Sequence, residues 1–307
     1  MLNRKNSLLL SVGLLSTAAL LAAQPARTID PTFLHRDVNT AADKASDLTT
    51  ATAHYRPLFG LGDAQPRLLK GILRYGRLTV DPGGSSEIVA YPEEEQIYFV
   101  LSGKGQLLYG DQKVPLRTND FMYLPVNVRH GIANSSAGPI EVMVMGFHIP
   151  GDMEIKPTPD LMMANTDDVA IQPTHGPGSK FKLLIGDKGS SRDKLAAAHI
   201  ITSLYTIEFD PGIDNFPHHH EQEEEIYYIL RGSGEIATGA GPDAAGNRYP
   251  VKAGDAYFFR VNATVGYYRS KEAENPMILA VRSRYPFERI LGSWSPIAVT
   301  PEPKRKP

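Results

Sequence analysis

DPGIDNFPHHHEQEEEIYYILRGSG, residues 210–234, aligns without a gap on DPGGSSEIVAYPEEEQIYFVLSGKG, residues 81–105. Each copy opens on an Asp-Pro-Gly turn, passes through a carboxylate cluster, turns apolar for five residues and closes on glycine. Gly83 to Gly103 and Gly212 to Gly232 are both twenty residues. Further on, NDFMYLPVN from Asn119 matches GDAYFFRVN from Gly254, and the second copy carries six extra residues between, in the turn-like GAGPDAAGNR. Self-similarity of this kind is the mark of a duplicated structural unit. The chain therefore holds two homologous domains.

Both copies are built from short strands. Ile72 to Val80, Ile97 to Leu101, Ile140 to Phe147, Ile200 to Phe209 and Ile226 to Leu230 are apolar or alternating runs rich in β-branched and aromatic residues. Turn signals such as Asp81-Pro82-Gly83-Gly84, Gly110-Asp111 and Asp210-Pro211-Gly212 separate them, and no long segment keeps a 3.6-residue period. This predicts an all-β sandwich or barrel in each copy. The domains are read as 24–150 and 181–296, joined by a Pro-, Gly-, Asp- and Thr-rich linker over 151–180 and followed by a disordered tail over 297–307.

Composition narrows the function classes. The 307 residues carry a formal net charge of −2, so nothing marks the chain for nucleic acid or an anionic membrane surface. Lys304-Arg305-Lys306 reads as a solvated end. Arg4 and Lys5 precede the apolar run Leu8 to Ala23, which closes on small residues before Gln24-Pro25. That is the pattern of a signal peptide over 1–23, and the run is short for a stable membrane anchor. A secreted or periplasmic protein is expected. With no cysteine in the chain, disulfides and thiolate metal ligands are excluded, so any metal rests on nitrogen and oxygen donors.

The second copy resembles the first motif of the cupin family, which runs Gly, five residues, His-x-His, three or four residues, Glu, six residues, Gly. Here it reads Gly212, IDNFP, His218-His219-His220, EQEE, Glu225, IYYILR, Gly232. The resemblance implies two tandem antiparallel jelly-roll β-barrels. Strand geometry supports the spacing independently, because side chains alternate faces and His218 and His220 point the same way while His219 points opposite. Glu225 returns on the neighbouring strand, with Tyr227 and Ile229 on its face and Tyr228 and Leu230 on the other. Two imidazoles and a carboxylate suit a divalent metal such as Fe, Mn, Zn or Ni. The competing reading is a solvated acidic loop; within the metal reading Glu221, Glu223 and Glu224 face solvent.

The family's second motif supplies a further histidine, and here the copies diverge. In the second copy Val265 stands in its place, with Tyr267 two residues on. In the first copy His130 is kept, but Val89, Tyr91 and Gln96 replace the two histidines and the glutamate. The first barrel is thus expected to hold no metal, leaving Tyr91, Gln96, Tyr98 and His130 as a polar pocket or as ordinary interior groups. His175 and His199 read as loop or strand-surface residues, Arg282 and Arg284 as strand residues able to face an anion, and Trp294 as a packing residue.

Two functions follow from the resemblance. One is a metalloenzyme of dioxygenase, isomerase or lyase type, on the architectural analogy of quercetin dioxygenase and oxalate decarboxylase. His218, His220 and Glu225 would hold the metal, and Tyr267, Tyr227 and Arg260 would position a small oxygen-bearing substrate. The other is a small-molecule module for a sugar or organic acid, or a structural bicupin. Exposed edge strands leave room for a homodimer.

Overall fold

The computed structural model describes residues 30–151, 153–155, 160–172, 178–270 and 274–284. The expected signal peptide, the tail, His175 and Trp294 lie outside them. In the first half the strands are β1 (Phe33–Asp37), β2 (Ala53–Gly60), β3 (Ile72–Val80), β4 (Glu94–Ser102), β5 (Lys104–Tyr109), β6 (Gln112–Arg117), β7 (Asp120–Leu124), β8 (His130–Ala133), β9 (Ile140–His148) and β10 (Met162–Asn165). In the second they are β11 (Ser179–Asp187), β12 (Leu195–Ala198), β13 (Ile201–Phe209), β14 (Asn215–His218), β15 (Glu223–Arg231), β16 (Ser233–Ala240), β17 (Arg248–Lys252), β18 (Asp255–Phe259), β19 (Ala263–Arg269) and β20 (Met277–Arg284). The five strands read from sequence match β3, β9 and β13 to within a residue and fall inside β4 and β15, each of which begins three residues earlier.

Each barrel is a large sheet closed by a small one. In the first, β10-β7-β4-β9-β3-β2 faces β6-β5-β8; in the second, β1-β18-β15-β20-β13-β11-β12 faces β14-β19-β16-β17. Tyr98, Val100, Leu107 and Met122 fill the first interior, and Tyr205, Ile207, Tyr227 and Ile229 the second. A third apolar layer lies between the barrels, where Phe99, Phe121 and Met143 meet Ile226, Tyr228 and Phe258. This explains why IYFVL and IYYIL are apolar at every position instead of alternating: the large sheets are buried on both faces, one inside a barrel and one against the other barrel.

The domain boundaries need correction. β1, read as part of the first domain, pairs antiparallel with β18 of the second barrel, Asp37 opposite Asp255. β10, read as linker, pairs with β7 of the first barrel, Asn165 opposite Asp120. Each barrel's large sheet thus gains an edge strand from the segment leading into the other half, and neither sheet is complete without it. A single apolar stripe of four or five residues carries no information about which sheet it will extend.

Residues shared by the copies hold the tight corners. Gly103 and Gly232, which close the first motif, have φ of +87° and +79°. A Cβ at Gly103 would lie 2.3 Å from the Pro139 carbonyl oxygen, and one at Gly232 would lie 2.7 Å from Pro276 Cα, so only glycine fits. Asn127 and Asn262 both take φ +61°, the left-handed conformation that asparagine tolerates best among side-chain-bearing residues.

A pair of buried carboxylates ties the halves together. Glu95 and Glu224 are both fully buried, one residue before Gln96 and Glu225 respectively. Glu95 accepts hydrogen bonds from the backbone N–H of His199 (2.9 Å), Ile200 (2.7 Å) and Ile201 (3.2 Å) and from the Tyr123 hydroxyl (2.7 Å). Glu224 accepts from the backbone N–H of Lys70 (3.0 Å) and Gly71 (2.9 Å). The expectation that Glu224 faces solvent is therefore wrong, and the reason is alternation: with Glu225 pointing into its barrel, Glu224 must point at the other one. His199, read as a surface residue, is instead held at this junction by Glu95.

Candidate metal centre

β14 carries His218 and the turn after it carries His220, while β15 returns Glu225 to the same face. One donor atom from each lies within 4.8 Å of the others, the only such trio of His, Asp and Glu residues among those described. His219 points away toward Glu221, at 3.7 Å and exposed. The Nδ1 of His218 lies 2.9 Å from the Phe216 carbonyl, a contact that places the proton on Nδ1 and leaves Nε2 to coordinate. His220 has Glu223 behind it, 3.7 Å from its Nδ1. Glu223 also contacts Arg282 at 3.3 Å, so it is an outer partner of the trio and not a solvated rim residue.

Two atoms decide whether a metal fits. His220 Nε2 and Glu225 Oε2 stand 3.2 Å apart as an ion pair, both buried and with no hydrogen-bond partner besides each other. Buried polar atoms usually have several partners, and two donors with so few, aimed at one point, leave room for a shared ligand. Glu225 Oε1 is taken by the Tyr205 hydroxyl, which donates to it at 2.8 Å, so Oε2 alone is free for an ion. Burial pushes the Glu225 carboxyl up, but His220, Arg282 and His218 together hold it below the usual carboxylate range. Burial lowers His220, and Glu225 and Glu223 raise it by more. The residues present fit a divalent ion on two imidazoles and one carboxylate oxygen.

Above the trio is a cavity of about 160 Å³ lined by Phe181, Leu183, Tyr205, Asn215, Tyr227, Arg192 and Arg282, with both histidines. Tyr227, expected here, is present, and its hydroxyl accepts from Asn215 Nδ2 at 3.1 Å. Tyr267 is not: its ring stacks on Phe209 and its hydroxyl donates to the Ser233 carbonyl at 3.0 Å. Sharing a face with Val265 places it inside the barrel, but toward the opposite end. Arg260 also falls outside the cavity lining, with its guanidinium toward the Pro31 carbonyl at 3.4 Å, because β1 covers that side of the barrel. Arg282 enters the cavity, while Arg284 pairs with Asp187 on the surface. Tyr205 and Arg192 were not anticipated from sequence, since neither belongs to a repeated motif.

Two of the three missing histidines, at Val265 and Val89, fall in corresponding cross-strand pairs. His218 lies opposite Val265 in the second barrel, and Val89 lies opposite His130 in the first. At that pair each barrel keeps one imidazole where the full motif set would place two. The ten residues 239–248, which hold the insertion of the second copy, contribute Gly241 and Ala245 to an outer recess of about 450 Å³ that shares His218 with the inner site.

In the first barrel Tyr91, Gln96, Tyr98 and His130 do converge. His130 Nε2 lies 2.9 Å from Gln96 Oε1, and the Tyr98 ring meets His130 edge-on at 5.5 Å. Gln96 donates to Glu94 Oε1 at 2.6 Å, and Glu94 is paired with the buried Arg74. Where the second barrel gathers metal donors, the first gathers a guanidinium with its counter-ions.

Comparison with known proteins agrees with this fold. A cupin-domain family model matches residues 76–146 and again 205–281, once in each barrel. An uncharacterized protein of Methanocaldococcus jannaschii is 24% identical over 83 residues, 27% of this chain and 66% of that protein; the alignment thus spans just under two thirds of that relative. Among solved structures, Ylba of E. coli is similar at TM-score 0.63 and 15% identity, over 85% of this chain and 94% of that one. A putative glyoxylate-induced protein of Pseudomonas aeruginosa is similar at 0.64 and 15%, over 85% and 92%. Oxalate decarboxylase of Bacillus subtilis, an enzyme with Mn(II) centres, is similar at 0.61 and 12%, over 84% and 78%. The fold is two tandem antiparallel jelly-roll barrels of the cupin type, with a candidate His-His-Glu metal centre in the second.

Proposed function

We propose that the second barrel is a divalent-metal centre acting on a small oxygen-bearing anion, with a carboxylate the best match. The convergence of His218, His220 and Glu225, with His220 Nε2 and Glu225 Oε2 buried and paired only with each other, carries the metal half of this reading. Charge carries the other half. Glu223 and Glu225 are offset by Arg282 and Arg192, so a bound divalent ion leaves the site net positive and ready for an anion. Arg192 is exposed at the cavity mouth, where it can meet an incoming ligand before Arg282 does. A volume of about 160 Å³ is several times the ~30 Å³ share of one liquid water, which limits the ligand to a handful of heavy atoms.

The metal supplies Lewis-acid polarisation of a bound oxygen. The chain's own groups do the rest: Tyr205 fixes Glu225 through Oε1, Asn215 orients the Tyr227 hydroxyl, and Phe181 and Leu183 exclude water from one wall. Mn and Fe are the first metals to try, with Zn and Ni compatible with the same donors. Elemental analysis of protein purified without chelator should give about one metal per chain, and a His218→Ala/His220→Ala variant should give none. Absence of metal in the wild type, even after loading with each of these ions, would sink the reading. Dioxygen uptake in the presence of small carboxylates then separates dioxygenase chemistry from isomerase or lyase chemistry. The competing function, a binding module without turnover, draws on the apolar Val265 in place of a ligand; a loaded protein that binds carboxylates and converts none would establish it.

Export is the companion proposal, resting on the pattern of residues 1–23. Mass spectrometry of the mature protein from a secreting host should show an N-terminus at Gln24, and a chain retaining Met1 in that fraction would refute it.

A further inference from the structure

Arg74 of β3 is an unusual residue to find inside a barrel. Only 6% of its side chain is accessible, and the corresponding position of the second copy, 129 residues on, is Ser203. Its Nε lies 2.8 Å from Glu94 Oε1 and its Nη2 donates to Glu94 Oε2 at 3.2 Å. Glu94, equally buried, neutralises the guanidinium and leaves one donor edge unused. Asp47 fills that edge: Arg74 Nη1 donates to Asp47 Oδ1 at 2.7 Å, and the Tyr91 hydroxyl donates to Asp47 Oδ2 at 2.7 Å. The Tyr91 ring lies under the guanidinium, 4.6 Å from Cζ.

This is the construction of a carboxylate receptor. One oxygen is held by a buried guanidinium and the other by a phenol, and an aromatic face holds the guanidinium in place. The carboxylate differs from its hosts in one respect. Asp47 belongs to the segment between β1 and β2, reaches in from outside, and keeps 43% of its side chain accessible. Burial pushes the Asp47 carboxyl up, but the bonds from Arg74 and Tyr91 outweigh this and keep it ionised below the usual range. Deeper in, the Tyr55 and Tyr98 hydroxyls are buried without partners, so the polar lining extends past what Asp47 uses.

We propose that the mouth of the first barrel is a carboxylate-binding site which the chain fills with its own Asp47, and which takes a small free carboxylate of formate or acetate size when that side chain is withdrawn. The site is independent of the metal centre and stands or falls without it. It also gives the first barrel's departures from the metal-ligand pattern a positive reading: Tyr91, in the position of His220, serves the anion as a donor.

Chemical rescue tests this directly. In Asp47→Gly the melting temperature should fall by about 4 °C or more, and added formate or acetate, at constant ionic strength against chloride, should recover most of the loss along a single-site saturation curve. The wild type contains the second barrel unchanged, so its own response to carboxylate is the baseline to subtract. Introducing Arg74→Met into Asp47→Gly should abolish the recovery. A variant that responds no more than the wild type, or equally to chloride, overturns the proposal. Asp47→Ser, which keeps a turn-forming residue in the loop, carries the same measurement should the glycine variant fail to fold.

Discussion

Glu95→Ala is expected to cost about 3–5 kcal/mol of stability, the order expected when several buried donors lose one shared acceptor. The substitution strands three backbone N–H groups, those of His199, Ile200 and Ile201, together with the Tyr123 hydroxyl. All lie at the junction of the two barrels, where the Tyr123 hydroxyl keeps one other partner, His199 Nδ1 at 3.3 Å. Each unmade buried bond costs about 1–3 kcal/mol, and a whole domain is stable by only about 5–15 kcal/mol. Glu95→Gln preserves shape but turns an amide N–H₂ toward N–H donors, so it should recover only part of the loss. Urea denaturation followed by near-ultraviolet circular dichroism measures this. A loss below about 1 kcal/mol would mean that water reaches these groups and that the carboxylate is not a tie between barrels. Glu224→Ala makes the reciprocal cut, at Lys70 and Gly71. Because that residue adjoins Glu225, its loss should loosen the candidate metal ligand as well as the barrel contact.

The paired carboxylates also mark how far the sequence could be read. The duplication and the common face of His218 and His220 followed from spacing, since a strand has a period of two; Glu225 as their companion rested on the resemblance to the cupin motif. The same alternation, applied to Glu224, predicts that it leaves its own barrel, but not that another barrel waits there. That depends on how two sheets dock, which one chain does not encode locally. β1 and β10 were misassigned for a related reason: an edge strand is short, and its partner is chosen by packing. Tyr205 and Arg192 escaped notice because they sit on a strand and a loop with no motif, and only the cavity shows what they face. Tyr267 was given a role from its parity with Val265. Parity fixes a side of the sheet, not a depth along the barrel.

Glu225→Gln is the second change with a large expected effect, and it acts first on metal affinity. The amide keeps the volume and still accepts from the Tyr205 hydroxyl through its oxygen, but it presents N–H₂ where Oε2 now faces His220 Nε2. The centre loses its one anionic donor, and affinity should fall by more than about 100-fold, beyond the range seen for loss of an outer-sphere partner alone. Stability of the metal-free protein should fall as well, by up to about 3–5 kcal/mol, because His220 and Arg282 lose the charge that faces them. Val265→His works in the opposite direction. It places an imidazole across from His218, where the second barrel now offers an apolar side chain, and should tighten metal binding by about tenfold or more, or at least 1.4 kcal/mol. Overpacking a site that is 1% accessible costs about 1–3 kcal/mol of fold stability, so affinity must be measured on protein shown to be folded, by competition with a chelator of known strength. Wild-type metal content in Glu225→Gln would remove the carboxylate from the ligand set. Unchanged affinity in folded Val265→His would mean that position 265 does not face the ion, leaving the outward side of the centre, toward Arg282 and Arg192, as the only direction from which further ligands arrive.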